Sequence, residues 1–240
     1  MKRKLLLAAV TLFAAVFGGG GNSSAQTDVT STYLTNANFS AGTPIDDDVC
    51  TYGKDMSGNG TSYYGAQAIS GWTDASEGET VEDYPNSKLA GALFAYGGTP
   101  WLAGAGNTAP ATDPNGNTGN AAGLCAVWGG KICYTQSVTL PAGSYTLRFK
   151  VYNATVNNGS GKFITTNLFG FKPNSGAAYY APSKTFAIGQ WSTIAVTFQL
   201  TEETAGVISM GYVGPGGGAA MPHLFVDNVK ILKNTYFEDV

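Results

Sequence analysis

The side chains in this sequence that could recognise a ligand are aromatic and uncharged polar groups in loop-like segments. Tyr63, Tyr64, Trp101, Tyr179 and Tyr180 lie within or beside stretches rich in Gly, Ser, Asn and Pro. An aromatic ring on a loop offers a flat apolar face at low conformational cost, and nearby amides, carboxylates or guanidinium groups can bond hydroxyls. That pairing suits the two-sided chemistry of a pyranose ring. Trp101, in T-P-W-L-A-G-A-G, is the leading candidate, followed by Tyr179-Tyr180 after P-N-S-G. For each ring the competing expectation is a plug that pins its loop to the body.

Carboxylates form three short groups. Asp46, Asp47 and Asp48 sit in I-D-D-D-V, which reads as a solvated charge run or as a source of calcium ligands. D-P-N-G-N-T-G-N spaces Asp113, Asn115 and Asn117 like a calcium loop. It lacks the sixth-position Gly and twelfth-position Glu, so a polar turn is expected. Glu77, Glu79, Glu82 and Asp83 lie in S-E-G-E-T-V-E-D-Y and are the natural pair-forming acids if the chain hydrolyses or eliminates at glycosidic bonds. Nothing sets them on a confident strand. The lone His223 has no nucleophile motif beside it. One His and three Cys show no zinc spacing. A non-catalytic protein is therefore the expectation, with a secreted glycoside hydrolase or lyase as the competing class.

Composition narrows the partners. Lys2, Arg3 and Lys4 precede an apolar run from Leu5 to Phe17, shorter than the ~20 residues that span a bilayer. Ser23-Ser24-Ala25 supplies small residues for cleavage before Gln26, so residues 1–25 read as a secretory signal peptide. Removing it leaves ten of 13 basic residues against 16 acidic ones. Such a balance disfavours nucleic acid, and no later stretch reaches transmembrane length. An exported location follows: periplasm, outer surface or extracellular space. Three cysteines, 50, 125 and 133, cannot all pair with each other. L-C-A-V-W-G-G-K-I-C-Y reads as a hairpin. A three-residue loop would set Cys125 opposite Cys133; a two-residue turn would put them on opposite faces.

The elements that must carry these groups are strands. Tyr134–Ala154 reads as two strands joined at Pro141-Ala142-Gly143. Tyr145, Leu147, Phe149 and Val151 alternate with Thr146, Arg148, Lys150 and Tyr152, which implies one buried and one wet face. Further strands are expected over 33–39, 66–69, 88–96, 122–128, 162–171, 194–200, 206–213 and 224–232, with no amphipathic helix. The fold class is all-β: an antiparallel β-sandwich of jelly-roll type, in a single domain over 26–240. Insertions at about 40–65 and 97–119 are long enough to carry function.

Three segments together resemble galactose-binding-like jelly rolls of the carbohydrate-binding-module type, as secreted by gut Bacteroidetes. They are Y-L-T-N-A-N-F-S-A-G with Gly71-Trp72, the pair Y-T-Q-S-V-T-L-P-A-G-S-Y-T-L-R-F, and W-S-T-I-A-V-T-F-Q-L through L-F-V-D-N-V-K-I-L. The resemblance implies binding of a polysaccharide or oligosaccharide without chemistry, and core packing for Trp72 and Trp191. No cofactor is required. It also implies a structural calcium with Asp227 as a ligand, helped here by Asp46 and Asp48, because Ser40 stands where such modules often have an acid. A structural or adhesive protein that binds another protein at the cell surface is the third class.

Overall fold

The computed structural model describes residues 24–45, 65–77, 89–97, 100–101, 107–126, 129–154, 166–184, 186–214 and 223–236. Its elements run β1 (Ser24–Asp28), α1 (Thr30–Tyr33), β2 (Gly65–Ala66), β3 (Thr73–Asp74), β4 (Leu89–Ala95), β5 (Pro100–Trp101) and β6 (Asn107–Thr108). They continue β7 (Asn120–Ala126), β8 (Lys131–Leu140), β9 (Gly143–Asn153), β10 (Thr166–Asn167), β11 (Gly170–Pro173) and β12 (Tyr179–Tyr180). β13 (Trp191–Leu200), β14 (Thr204–Val213) and β15 (His223–Tyr236) complete the chain.

These strands make an all-β sandwich. One sheet has seven strands in the order β13-β9-β15-β7-β4-β2, with β1 beside the second half of β15. A second has six, β12-β11-β14-β8-β3, with β10 also on β14, and β5 and β6 pair only with each other. The inward residues of β9 (Tyr145, Leu147, Phe149, Val151) face Tyr134, Ile208, Met210 and Tyr212 of the second sheet in one continuous core. Each such large side chain, fully buried, contributes about 1.5–3 kcal/mol. Trp72 is part of this core, stacked on Phe39 at 5.7 Å.

The expected hairpins are not hairpins. β8 pairs with β14 and β3 in the six-stranded sheet, while β9 pairs with β13 and β15 in the seven-stranded one. The Pro141–Gly143 turn therefore carries the chain across the sandwich. Alternation reports which face of a strand is buried and is the same for a hairpin partner and for a strand facing it across the core. β7 and β8 also lie in different sheets. Cys125 and Cys133 accordingly form no disulfide with each other. Cys125 Sγ instead lies 3.3 Å from His223 Nε2, with both residues almost wholly buried.

Residues 33–39 are not a strand either. Asp28 accepts hydrogen bonds from the Thr30 amide and hydroxyl and starts the single turn α1. Asn36 (φ 49°) and Phe39 (φ 53°) are then left-handed. The Asn36 amide makes this possible: Nδ2 donates to the Ala41 and Ser70 carbonyls, and Oδ1 accepts from the Ala41 amide. The stretch expected at 162–171 is divided, with β10 and β11 both pairing to β14.

Candidate functional site

The outer face of the seven-stranded sheet changes character along its length. Register sets Trp191, Tyr152 and Phe225 abreast on β13, β9 and β15. Thr193, Lys150 and Asp227 form the next row, and Ala195, Arg148 and Lys230 the one after.

The first row belongs to a covered, apolar end. Ala92, Phe94, Ala109, Ala121, Cys125, Ala154 and Phe225 form a second buried cluster, fringed by Ile45, Tyr96, Tyr152 and Trp191. Residues 107–119 lie over it. The Tyr96 amide donates to the Gly119 carbonyl and the Gly97 amide to that of Pro110. Trp191 Nε1 donates to the Thr112 carbonyl at 3.1 Å. Trp191 thus packs as expected in kind but outside the sandwich core, under this loop.

The loop tip is tied together by its own side chains. Asp113 Oδ1 accepts from the Asn115 and Asn117 amides at 2.7 and 2.8 Å, and Oδ2 from Asn117 Nδ2 at 3.0 Å. Partial burial opposes ionisation of Asp113, but these bonds outweigh it and hold the carboxyl below its ordinary range. The segment forms a polar turn closed by Asp113.

Beyond the loop the face opens. A groove of about 470 Å³ lies between Pro114 and Asn115 on the loop and Arg148, Lys150, Thr193, Asn228 and Lys230 on the sheet. Lys150 Nζ donates to Thr193 Oγ1 at 3.0 Å, and Arg148 Nη2 to Gln26 Oε1 at 2.8 Å. Gln26 Nε2 donates on to Asn234 Oδ1, whose amide reaches Ser144 and Thr146. Thr146 meets Thr197 at 3.0 Å. A ladder of amides and hydroxyls therefore runs from the groove along β9, β13 and β15. A bulge in β15, with Asn228 at φ 48°, brings Lys230 level with Arg148. A second cavity of about 420 Å³ shares Asn228 and Lys230 and extends towards Asp28 and Asn36.

Asp227 sits at the seam between the covered and open parts. It is 3% exposed. Tyr96 donates its hydroxyl to Oδ2 at 2.5 Å, and the Asn228 amide donates to Oδ1 at 2.6 Å. Burial lifts the carboxyl to about 6 despite those bonds, and Asp113 adds to the rise. The Tyr96 phenol is raised in turn, by burial first and then by Asp227. Both oxygens of Asp227 thus already accept from protein donors, and a calcium ion would have to share them. Among the described residues no three His, Cys, Asp or Glu side chains gather around a common point. Asp46 and Asp48 lie outside the described residues, as do Tyr63 and Tyr64.

The remaining candidates are elsewhere. Tyr179 and Tyr180 form β12 at the edge of the six-stranded sheet. Tyr179 is 36% exposed and stacks on Phe198 at 5.0 Å and on Phe171 at 6.4 Å. Trp101 pairs through its backbone with Asn107. Glu77 is an exposed partner of Lys131 at 2.5 Å, and Glu79, Glu82 and Asp83 lie outside the described residues. Arg148, Lys150, Thr193 and Lys230 were not singled out from sequence. The alternation of β9 put Arg148 and Lys150 on the wet face, but only the flanking strands make that face a groove.

No known family model matches this chain, and no curated protein does. Solved structures resemble it in fold. A family 61 carbohydrate-binding module in complex with β-1,4-galactotriose aligns at TM-score 0.46 and 14% identity, over 84% of this chain and 97% of that one. A family 11 carbohydrate-binding module from Clostridium thermocellum, in complex with a β-1,3-1,4-mixed-linked tetrasaccharide, aligns at TM-score 0.37 and 13% identity, over 69% and 90%. The enzymatically active domain of tailspike protein 4 from bacteriophage CBA120 aligns at TM-score 0.38 and 17% identity, over 68% of this chain and 19% of that one.

Proposed function

We propose that this protein is a secreted, non-catalytic glycan-binding domain that holds a saccharide in the groove on the outer face of its seven-stranded sheet. The observation that carries this reading is the groove itself. It is open, about 470 Å³, and four of its polar residues, Arg148, Lys150, Thr193 and Lys230, stand on paired strands. Saccharides offer rows of hydroxyls, and fixed amides, hydroxyls and cations bond them without a large ordering cost. The network Gln26–Asn234–Thr146–Thr197 is largely buried and bonded within itself, and through Gln26 it fixes the Arg148 guanidinium at the groove.

Trp101, Tyr63 and Tyr64 are proposed as further ring faces for a saccharide on the strength of their loop-like sequence settings, and Tyr179 and Tyr180 as a secondary contact at the sheet edge. Export rests on the basic, apolar and small-residue order of residues 1–25. Cleavage after Ala25 would trim Ser24 and Ala25 from β1 and leave Gln26, the partner of Arg148, in place.

A glycan array probed with the purified chain, followed by isothermal titration, tests the reading. Binding of at least one saccharide, weakened by Thr193→Ala and Asn115→Ala, is expected. Silence across plant, host and microbial glycans, with capture by a protein at the cell surface, would replace it with the adhesive alternative. Turnover of a bound glycan would restore the hydrolase or lyase class.

A further inference from the structure

Charge in the groove does not match charge in the molecule. The chain is acidic, with a formal net charge of −3 and only 13 basic residues. Three of those residues, Arg148, Lys150 and Lys230, line one groove. Lys230 has a carboxylate partner, Asp28 Oδ2 at 3.0 Å. Arg148 and Lys150 have none among the described residues: their hydrogen-bond partners are the neutral Gln26 and Thr193.

Asp227 is the carboxylate best placed by register to neutralise Lys150, since the two residues are directly opposed on β15 and β9. It does not do so. Its oxygens face Tyr96 and Asn228, while the Lys150 ammonium reaches the other way to Thr193. The fold thus withholds the local counter-charge and leaves two cations facing the opening. Gln26 and Thr193 each accept one bond, so they orient the guanidinium and the ammonium and leave their remaining N–H donors available. An Arg fork matches a carboxylate or sulfate in geometry as well as in charge, and such bonds are about twice as strong as neutral ones.

We propose that the ligand of this groove is an acidic glycan, whose carboxylate or sulfate group is held by Arg148 and Lys150 while Thr193 and Asn115 bond adjacent hydroxyls. This deepens the glycan-binding reading and rests on it.

The test is isothermal titration of the full exported chain with four probes. They are an oligogalacturonate, the corresponding neutral oligogalactoside, a sulfated chondroitin oligosaccharide and polyglutamate. The proposal expects one of the two acidic saccharides to bind, and which one does identifies the anion as carboxylate or sulfate. Arg148→Ala and Lys150→Ala should each weaken that binding about tenfold or more, as expected for loss of a charge-assisted hydrogen bond. Affinity should fall as salt rises. Lys172→Ala, the same charge change on the other sheet, should have no effect. Neutral and acidic saccharides bound equally well, with both groove variants unaltered in preference, would overturn the charge assignment and leave glycan binding standing. Polyglutamate bound as tightly as the acidic glycan would overturn it as mere polyanion attraction. Silence toward both acidic saccharides, with a neutral glycan bound in this set or on the array, would overturn the charge assignment, and silence in both experiments would overturn the glycan reading itself.

Discussion

The buried acid Asp227 gives the sharpest quantitative test, through the substitution Asp227→Asn. Its carboxyl is raised from 3.8 to about 6, chiefly because burial penalises the charged form. A folded value above the unfolded one stabilises the protein fully at low pH, and that contribution is lost as pH rises through the folded value. The gap corresponds to roughly 3 kcal/mol, lost between about pH 4 and pH 7. Asparagine fits the same position. Its oxygen can accept from the Asn228 amide, and its NH₂ can donate to the Tyr96 oxygen once that hydroxyl turns. Stability of both proteins should be measured by urea denaturation from pH 4 to pH 8. The variant should gain on the wild type by roughly 3 kcal/mol across that range, and the difference should stay constant above pH 7. Parallel curves would refute the raised value. A variant that loses ground as pH rises would show Asp227 held as an anion, by Lys150 or by a bound cation.

Other perturbations follow from the same contacts. Trp101→Ala is expected to weaken saccharide binding in titration calorimetry with little change in Tm; a large fall in Tm with binding intact would make Trp101 a packing residue. Removing calcium with a chelator should leave Tm unchanged, because Tyr96 and Asn228 already satisfy Asp227; a lowered Tm, restored by calcium, would place an ion at Asp227 with Asp46 and Asp48 as candidate partners. Cys125 and Cys133, buried in different sheets, should react with a thiol reagent only after denaturation, and peptide mass mapping should find no bridge between them. Burial raises the Cys133 thiol to about 11, which further slows its reaction in the folded state.

Much of the sandwich was legible because strand alternation is a local signal. Tyr145, Leu147, Phe149 and Val151 are inward, and Arg148 and Lys150 outward, as their spacing implies. Neighbour choice is not local. Nothing in Leu140-Pro141-Ala142-Gly143 distinguishes a turn within one sheet from a step to the other, and alternation alone does not say which strands pair. Asn36 belongs to the same class of failure: an amide that bonds its own loop stabilises a left-handed turn where hydrophobic spacing suggested a strand. One signal of the groove is present in the sequence itself. Val226 and Val229 are both buried, three residues apart, which breaks the period of two and marks the bulge at Asn228. That bulge is what aligns Lys230 with Arg148. The groove is not legible in the sequence because its residues come from β9, β13 and β15 and from a loop, far apart along the chain.

The central claim is that the ligand sits on the outer face of the seven-stranded sheet. A titration of isotope-labelled protein with its bound saccharide, followed by amide NMR shifts, tests this directly. The groove account predicts the largest shifts at Asn115, Arg148, Lys150, Thr193 and Lys230, with Phe171 and Tyr179 undisturbed or shifting late. Shifts confined to the six-stranded sheet, with Arg148 and Lys150 unmoved at saturation, would contradict it.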